Sequence, residues 1–551
     1  MNTPTSPVDS GLKQQVGFIG LAWASAGSII GSGWLFGGLD SAEAAGAAAI
    51  ISWIIGAVAL MLLALVHAEL GGMFPHAGGT GRYPHYAFGT VAGASFGWFA
   101  WLQAAAVAPV EVLALLSYGT VHVSWLTTTD ATGNPVPTWP RGYLIAAVLL
   151  ALFVGINFLG VRWLAHTNSA ATWWKLSIPV LAIIAIGVTR FHSGNFTGFG
   201  GFAPYGVHGI FAATASGAVI FALLGFEQAI QFGAESINPR RDIPRAVIGS
   251  MVIGALIYIL LEIVFIAALP ASALRHGWSS ILFANAQFAP WASLASAVGL
   301  GWLATILYID ALISPAGTGL IYVSATARMS YGLSKNGYVP SAMEKTNQRG
   351  VPWGSLIAAF VTALVFFLPF PSWQNLVELI TSATVLMYAG APLAYGVFAS
   401  KHADKPRAYR LRGGAVIAPV SFFIANMLIF WAGWTTAWKL GIAIAIGYVV
   451  IGINYVFKLN PRSPSLDWRA AQWLPVYLIG MGVITWQGTF GNGAGHLHLG
   501  WDFLVVAVFS FGIYYWARAV SLPAATTDEY IAGSAATLEE VKAALGEEPV
   551  G

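Results

Sequence analysis

Fourteen apolar stretches succeed one another along this chain, most of them about 20 residues long, which is the length that carries an α-helix across the hydrocarbon core of a bilayer. They cover residues 16–39, 45–70, 89–118, 142–160, 165–189, 207–236, 244–269, 293–324, 353–370, 374–400, 414–436, 439–457, 471–488 and 500–518. Lipid offers the backbone no hydrogen bonds, so such segments must satisfy their N–H and C=O groups internally. The expectation is an all-α polytopic membrane protein. The first stretch is too long for a signal-peptide core and reads as a retained span. An even number of spans puts both termini on one side, and the basic residues test this layout independently. With the termini in the cytoplasm, twenty lysines and arginines fall inside and only Arg141, Arg190, Arg275 and Lys439 outside. Lys175 alone lies within a span.

Composition closes off other classes. Charged residues make up 9% of the 551, against about a quarter in soluble proteins, and the longest polar pieces (127–141, 335–351 and the tail from Pro523) cannot bury a core. A net charge of +3 is too small for a nucleic-acid partner. Zero cysteines exclude disulfides, thiolate catalysis and thiolate metal sites. The outer pair His496 and His498 lacks the further ligands a metal needs. In the tail, Thr537 and Glu540 have the spacing of a helix-capping box.

Two spans carry sequences that make poor helices. Residues 27–34 read GSIIGSGW, with three glycines in mid-span where each costs about 1 kcal/mol relative to alanine. Residues 221–227 read FALLGFE, with Gly225 beside an acidic residue. Gly46, Gly56 and the pair Gly93 and Gly97 read as helix-packing glycines. Gly31-Ser32-Gly33 does not fit that pattern, because alternate glycines free several backbone donors at one level, as suits an anionic group at a half-helix N-terminus. Two breaks five spans apart suggest paired halves around one ligand.

These residues resemble the amino acid permeases of the amino acid-polyamine-organocation superfamily, proton-coupled branch. The resemblance rests on IIGSGWLF in the first span, ELGGMFPHAGGTGRYPHYAFG over 69–89, INFLGV over 156–161, LLGFEQAIQFGAESINPRRDIPRAV over 223–247 and TARMSYGLSKNGYVP over 326–340, and it covers about the first four hundred residues. It implies a leucine-transporter-like fold: a cytoplasmic tail (1–15), two inverted repeats of five spans (16–189 and 207–400), four accessory spans (414–518) and a second cytoplasmic tail (519–551). It further implies that a substrate carboxylate sits on the N–H groups of Gly31, Ser32 and Gly33, and that the ammonium meets carbonyls of Ile29, Phe221, Ala222 and Leu224 beside Gly225. Phe221 takes the place of the family's aromatic gate.

Lys175 falls where related sodium-driven transporters hold their ion, which implies proton coupling. From the residues alone, a mid-span ammonium is penalised by desolvation and can exchange protons, or it snorkels to the inner interface. Ser and Thr oxygens near Ser314, Pro315, Gly317 and Thr318, which loosen the eighth span, are candidates to bind it. Glu227, two residues beyond Gly225, is the second coupling candidate. Glu69 and Glu235 are expected to anchor the basic loops at Arg82 and 238–245, while Glu111, Glu262, Asp310 and Glu378 have no assigned place.

The function expected is a secondary transporter of the cell's inner membrane, not an enzyme. It would move an L-amino acid with a proton by alternating access, without a cofactor or metal and with lipid as its surroundings. The residues around the breaks favour a neutral side chain, with aspartate or glutamate as the alternative. An exchanger on the same site and a membrane nutrient sensor are the competing functions.

Overall fold

In the computed structural model the first apolar stretch forms two half-helices, α1 (Phe18–Ile29) and α2 (Gly33–Ala45), followed by α3 (Ala49–Met73), α4 (Arg82–Thr120), α5 (Arg141–Phe158) and α6 (Val161–Thr189). The sixth stretch is divided further into α7 (Gly206–Ser216), the single turn α8 (Val219–Ala222) and α9 (Gln228–Gln231). Beyond it run α10 (Pro239–Ala268), α11 (Pro290–Ala297), α12 (Gly301–Lys335), α13 (Trp353–Phe366) and α14 (Trp373–Lys401). The last group is α15 (Gly414–Ala432), α16 (Trp434–Phe457), α17 (Trp468–Ala471), α18 (Trp473–Gln487) and α19 (Trp501–Val520). The structure describes residues 16–75, 79–158, 161–216, 218–233, 236–347, 351–405 and 407–533; Glu235 and the capping pattern at Thr537 and Glu540 lie outside the described residues.

Ten helices among the described residues are long and apolar enough to cross a membrane, and three further apolar helices, Phe18–Ile29, Gly206–Ala215 and Trp353–Phe366, are shorter. The protein is an integral, multi-pass membrane protein. Two details differ from the sequence reading and one adds to it. The stretch 293–324 is split, because α11 stops at Ala297 and the chain turns through Gly299 (φ +85°) before α12 begins. The outer polar piece is not featureless: Thr127–Thr129 pairs antiparallel with Pro135–Pro137. And α12 runs without interruption through Ser314, Pro315 and Gly317 rather than loosening there.

α4 and α14 form the buried centre of the bundle, with nearly every side chain of both enclosed. Small residues let the surrounding helices approach closely: a methyl added at Gly56 would lie 2.7 Å from Val219, and one at Gly97 would lie 2.7 Å from Leu333. The peripheral helices point apolar side chains outward at helical spacing, such as Leu144, Val148 and Leu152 on α5 and Ile479 and Val483 on α18. In water these would be adhesive patches; in a bilayer they are the lipid face.

At the end of the bundle that carries the arginine-rich loops, buried Glu69 on α3 pairs with Arg407 and accepts the Leu411 N–H at 2.6 Å. Arg407 also donates to the carbonyls of Phe398 and His402. Glu69 therefore anchors the loop after α14, not the loops at Arg82 or 238–245. The chain beyond α19 returns to the same end. Lys401 donates to the carbonyls of Ser521 and Leu522, the Leu522 N–H bonds to Ala87, and the Tyr530 hydroxyl bonds to Asp467 at 2.7 Å.

Candidate functional site

The two broken spans meet at one place. α1 ends at Ile29, the backbone leaves the helix at Ile30 (φ −95°, ψ 86°), and α2 restarts at Gly33. In the sixth stretch the chain turns after α8 through Leu223 and Leu224 to Gly225, whose φ of +126° is open to glycine but costly for other residues. The contact between the breaks depends on glycine in both. A Cβ on Gly33 would stand 2.9 Å from the Ala222 Cα, and one on Gly225 would stand 2.8 Å from the Ile29 nitrogen. Neither contact could form with a larger residue, which supplies a physical reason for the unusual sequence of both spans.

A small cavity, about 30 Å³, lies against these breaks. Ile29, Gly31, Gly33, Phe221, Ala222 and Leu224 line it, together with Ser28, Gln103, Glu111, Thr318 and Tyr322. Ser32 and Gly225, expected at the site, do not line the cavity. Ser32 is buried behind it, where its hydroxyl oxygen accepts a 3.0 Å bond from the Trp373 indole N–H. The free space is on the scale of a few water molecules. An amino acid therefore enters only if side chains move, and Phe221, packed edge-on against Trp373 with ring centroids 5.6 Å apart, is the aromatic at the wall.

The polar groups divide by charge preference. The start of α2 presents N–H groups that have no partner inside the helix. Ile29, by contrast, supplies a carbonyl that already accepts the Tyr258 hydroxyl at 2.8 Å, and the Phe221 carbonyl accepts the Leu224 N–H. Each carbonyl oxygen keeps a second lone pair. The break thus offers donors on one side and acceptors on the other, as a zwitterion requires.

Lys175 is buried on α6, and its ammonium reaches inward to the Thr318 hydroxyl at 2.6 Å and the Gly27 carbonyl at 3.4 Å. It does not snorkel. Thr318 lines the cavity, so the lysine stands one residue behind it. Asp310 on α12 lies close by and accepts from Ser314 (2.6 Å) and the Trp174 indole (2.9 Å). Glu111 on α4 is the residue the sequence did not single out. Its carboxylate would be 3.2 Å from a Cβ at Gly31, it faces Ser32, and it interacts with Lys175. Gln103, about two turns earlier on α4, is buried at the cavity with its amide nitrogen unpartnered among the described residues. Only the charge of Glu111 in a span hinted at its importance, and nothing in the sequence hinted at Gln103.

Glu227 does not touch the cavity. It accepts the Gly225 N–H at 3.0 Å and the Tyr388 hydroxyl, while the neighbouring Gln228 amide reaches Tyr322 at 3.4 Å, and Tyr322 bonds with Ser28 at 3.2 Å.

Comparison with known proteins decides the class. A sequence family described as amino acid permease matches residues 16–451, most of the chain. The chain belongs to this amino acid permease family. The permease is 37% identical over 510 residues to the glutamate/serine transporter AimA of Bacillus subtilis (strain 168), covering 92% of this chain and 94% of the relative. It is 34% identical over 505 residues to the aspartate-proton symporter of the same organism, covering 91% and 95%. A branched-chain amino acid permease, BcaP, also of Bacillus subtilis (strain 168), is 24% identical over 453 residues, covering 80% and 93%. These relatives are transporters rather than enzymes, and the matched segment holds both breaks, Lys175, Glu111 and Glu227.

Proposed function

We propose that this permease carries an acidic or small hydroxylated amino acid, of the aspartate, glutamate or serine kind, into the cell together with a proton. The observation that carries the reading is the convergence of Lys175 and Glu111 on the break in the first span. Glu111 faces the same backbone N–H groups that suit the substrate carboxylate. Two ionised carboxylates crowd each other at such a distance, so Glu111 takes a proton as the substrate carboxylate arrives. Loading of substrate and of proton are then one event. Lys175 holds α6 and α12 to the break through Gly27 and Thr318 while charged and relaxes its grip when it loses its proton. Glu227 serves the same coupling from the second break.

The names of the two relatives aligned over more than nine-tenths of this chain support a polar substrate, and so does Gln103, whose unpartnered amide can donate equally to a carboxylate or a hydroxyl. This narrows the neutral side chain favoured by the sequence to a hydroxylated one and brings its acidic alternative level with it. Gly31, Ser32 and Gly33 take the carboxylate, carbonyls of Ile29, Phe221, Ala222 and Leu224 take the ammonium, and Gly225 holds the second break open. The placement of the breaks five spans apart supports two inverted repeats, 16–189 and 207–400, followed by four accessory spans over 414–518. The basic loops support cytoplasmic termini in the cell's inner membrane.

Purified protein in liposomes with an imposed pH gradient tests this. Labelled aspartate, glutamate or serine should accumulate inside and leak out when a protonophore is added. Uptake that ignores the gradient but requires a second amino acid inside would assign the protein to exchange. No accumulation of any amino acid under either condition would remove transport of this kind.

A further inference from the structure

Three buried polar atoms from three different elements gather between Glu227 and the basic end of the bundle, and none has a hydrogen-bond partner among the described residues: His67 Nε2, Tyr83 Oη and Glu227 Oε1. All three side chains are within 1% of complete burial. The His67 ring on α3 lies 5.2 Å from the Tyr388 ring, 5.3 Å from Phe226 and 6.3 Å from Tyr83, centroid to centroid. Tyr388 in turn donates to the Oε2 of Glu227. An orphaned buried donor or acceptor costs about 1–3 kcal/mol, so three in one region, one of them on the imidazole itself, need an explanation that packing does not give.

The imidazole is oriented for accepting. Its Nδ1 stands 2.8 Å from the Leu63 carbonyl, which can only accept, so Nδ1 carries the hydrogen and Nε2 presents a lone pair. The titratable groups next to the ring are Tyr83 from α4 and Tyr388 from α14; Glu227 at the second break is reached through the Tyr388 hydroxyl and follows Phe226, whose ring packs on the imidazole, while Glu69, two residues further along α3, is turned away into its pair with Arg407. On the far side of Glu227, Gln228, Tyr322 and Ser28 continue a polar line to the cavity. Tyr83 sits in the first turn of α4, beside Arg82, at the basic end.

We propose that His67 is the relay through which a proton leaves Glu227 for the cytoplasm. A bridging water receives the proton from the Glu227 Oε1–H and delivers one to His67 Nε2, leaving a carboxylate and an imidazolium. The imidazolium then gives up its Nε2 proton to the Tyr83 hydroxyl, which accepts it and releases its own to a water entering from the Arg82 end. One proton reaches bulk water, His67 is neutral again, and the Nδ1–H bond to Leu63 is kept throughout. This relay rests on the coupling role proposed for Glu227, and its test separates the two.

The experiment is the ratio of pH-driven uptake to substrate exchange in liposomes, since exchange of one substrate molecule for another needs no net proton release. His67→Phe and Tyr83→Phe should each lower the ratio about tenfold or more, the range of a single acid–base group, with exchange kept. Uptake by the unmodified protein should slow in heavy water more than exchange does. Glu227→Gln should abolish pH-driven uptake. If Glu227→Gln loses uptake but either His67→Phe or Tyr83→Phe leaves the ratio unchanged, the relay is wrong. If Glu227→Gln itself keeps full uptake, the coupling role of Glu227 fails and the relay fails with it. Tyr83→Phe removes only an unpartnered hydroxyl, so it carries the test should His67→Phe not fold.

Discussion

Replacing Gly33 by alanine adds one methyl at the contact between the two breaks, where there is no room for it. The new Cβ would stand 2.9 Å from the Ala222 Cα and 3.0 Å from the Ala222 Cβ. Ordinary contact between carbons begins at about 3.5 Å, so the first break must move away from the second by about half an ångström. The obstacle is backbone, which cannot rotate aside as a side chain would. Gly33 is already helical, so alanine's better helix preference, about 1 kcal/mol, offsets only part of the clash. Overpacking of this kind costs about 1–3 kcal/mol. If the closed pair of breaks is the binding conformation, the whole cost falls on it, and substrate affinity should weaken about 5- to 150-fold. Titration of aspartate, glutamate and serine against the purified variant, followed by substrate-dependent thermal shift, measures this directly. Gly249→Ala is the control, because a Cβ there meets nothing within 4 Å. Unchanged affinity in Gly33→Ala, with the control also unchanged, would refute the idea that the two breaks must touch to form the site.

Lys175→Gln removes the ammonium from Thr318 and Gly27 and should keep substrate binding while abolishing accumulation driven by a pH gradient; retained accumulation would dissociate this lysine from coupling. Gln103→Leu should weaken binding of aspartate and serine about tenfold while sparing alanine, as expected for a lost donor to the substrate side chain; equal loss for all three in a binding assay would assign Gln103 to packing. Arg407→Met leaves the buried Glu69 carboxylate without its partner and should destabilise the protein by about 3–5 kcal/mol, read as a fall in melting temperature in detergent that Glu69→Gln partly restores.

The breaks were legible in the sequence because they violate local rules: alternate glycines and serines in mid-span have no reason to be there unless the helix stops. Lys175 was legible for a similar reason, since a charge in lipid demands a partner. The Ser and Thr oxygens expected to meet it include the one it finds, Thr318. Glu111 and Gln103 were not, because beyond its break at Gly89 α4 is regular helix where they lie, and their value depends on which face α14 and α12 leave open toward the first break. Pattern alone cannot supply that rotation. Glu69 was placed at the right end but with the wrong loop, since its partner lies 338 residues away in the chain. Pro315 read as a weakness in the eighth span, yet packed neighbours hold the helix intact around it.

The strapping of the chain's end beneath α14 has a mechanical meaning. Lys401, the last residue of that helix, finds acceptors on Ser521 and Leu522, while Tyr530 clasps Asp467 and Leu522 hangs from Ala87 at the foot of α4. The helix so tethered is the one that presents Tyr388 to Glu227 and Trp373 to Ser32. A displacement of the segment after α19 would therefore act on a helix that touches both breaks.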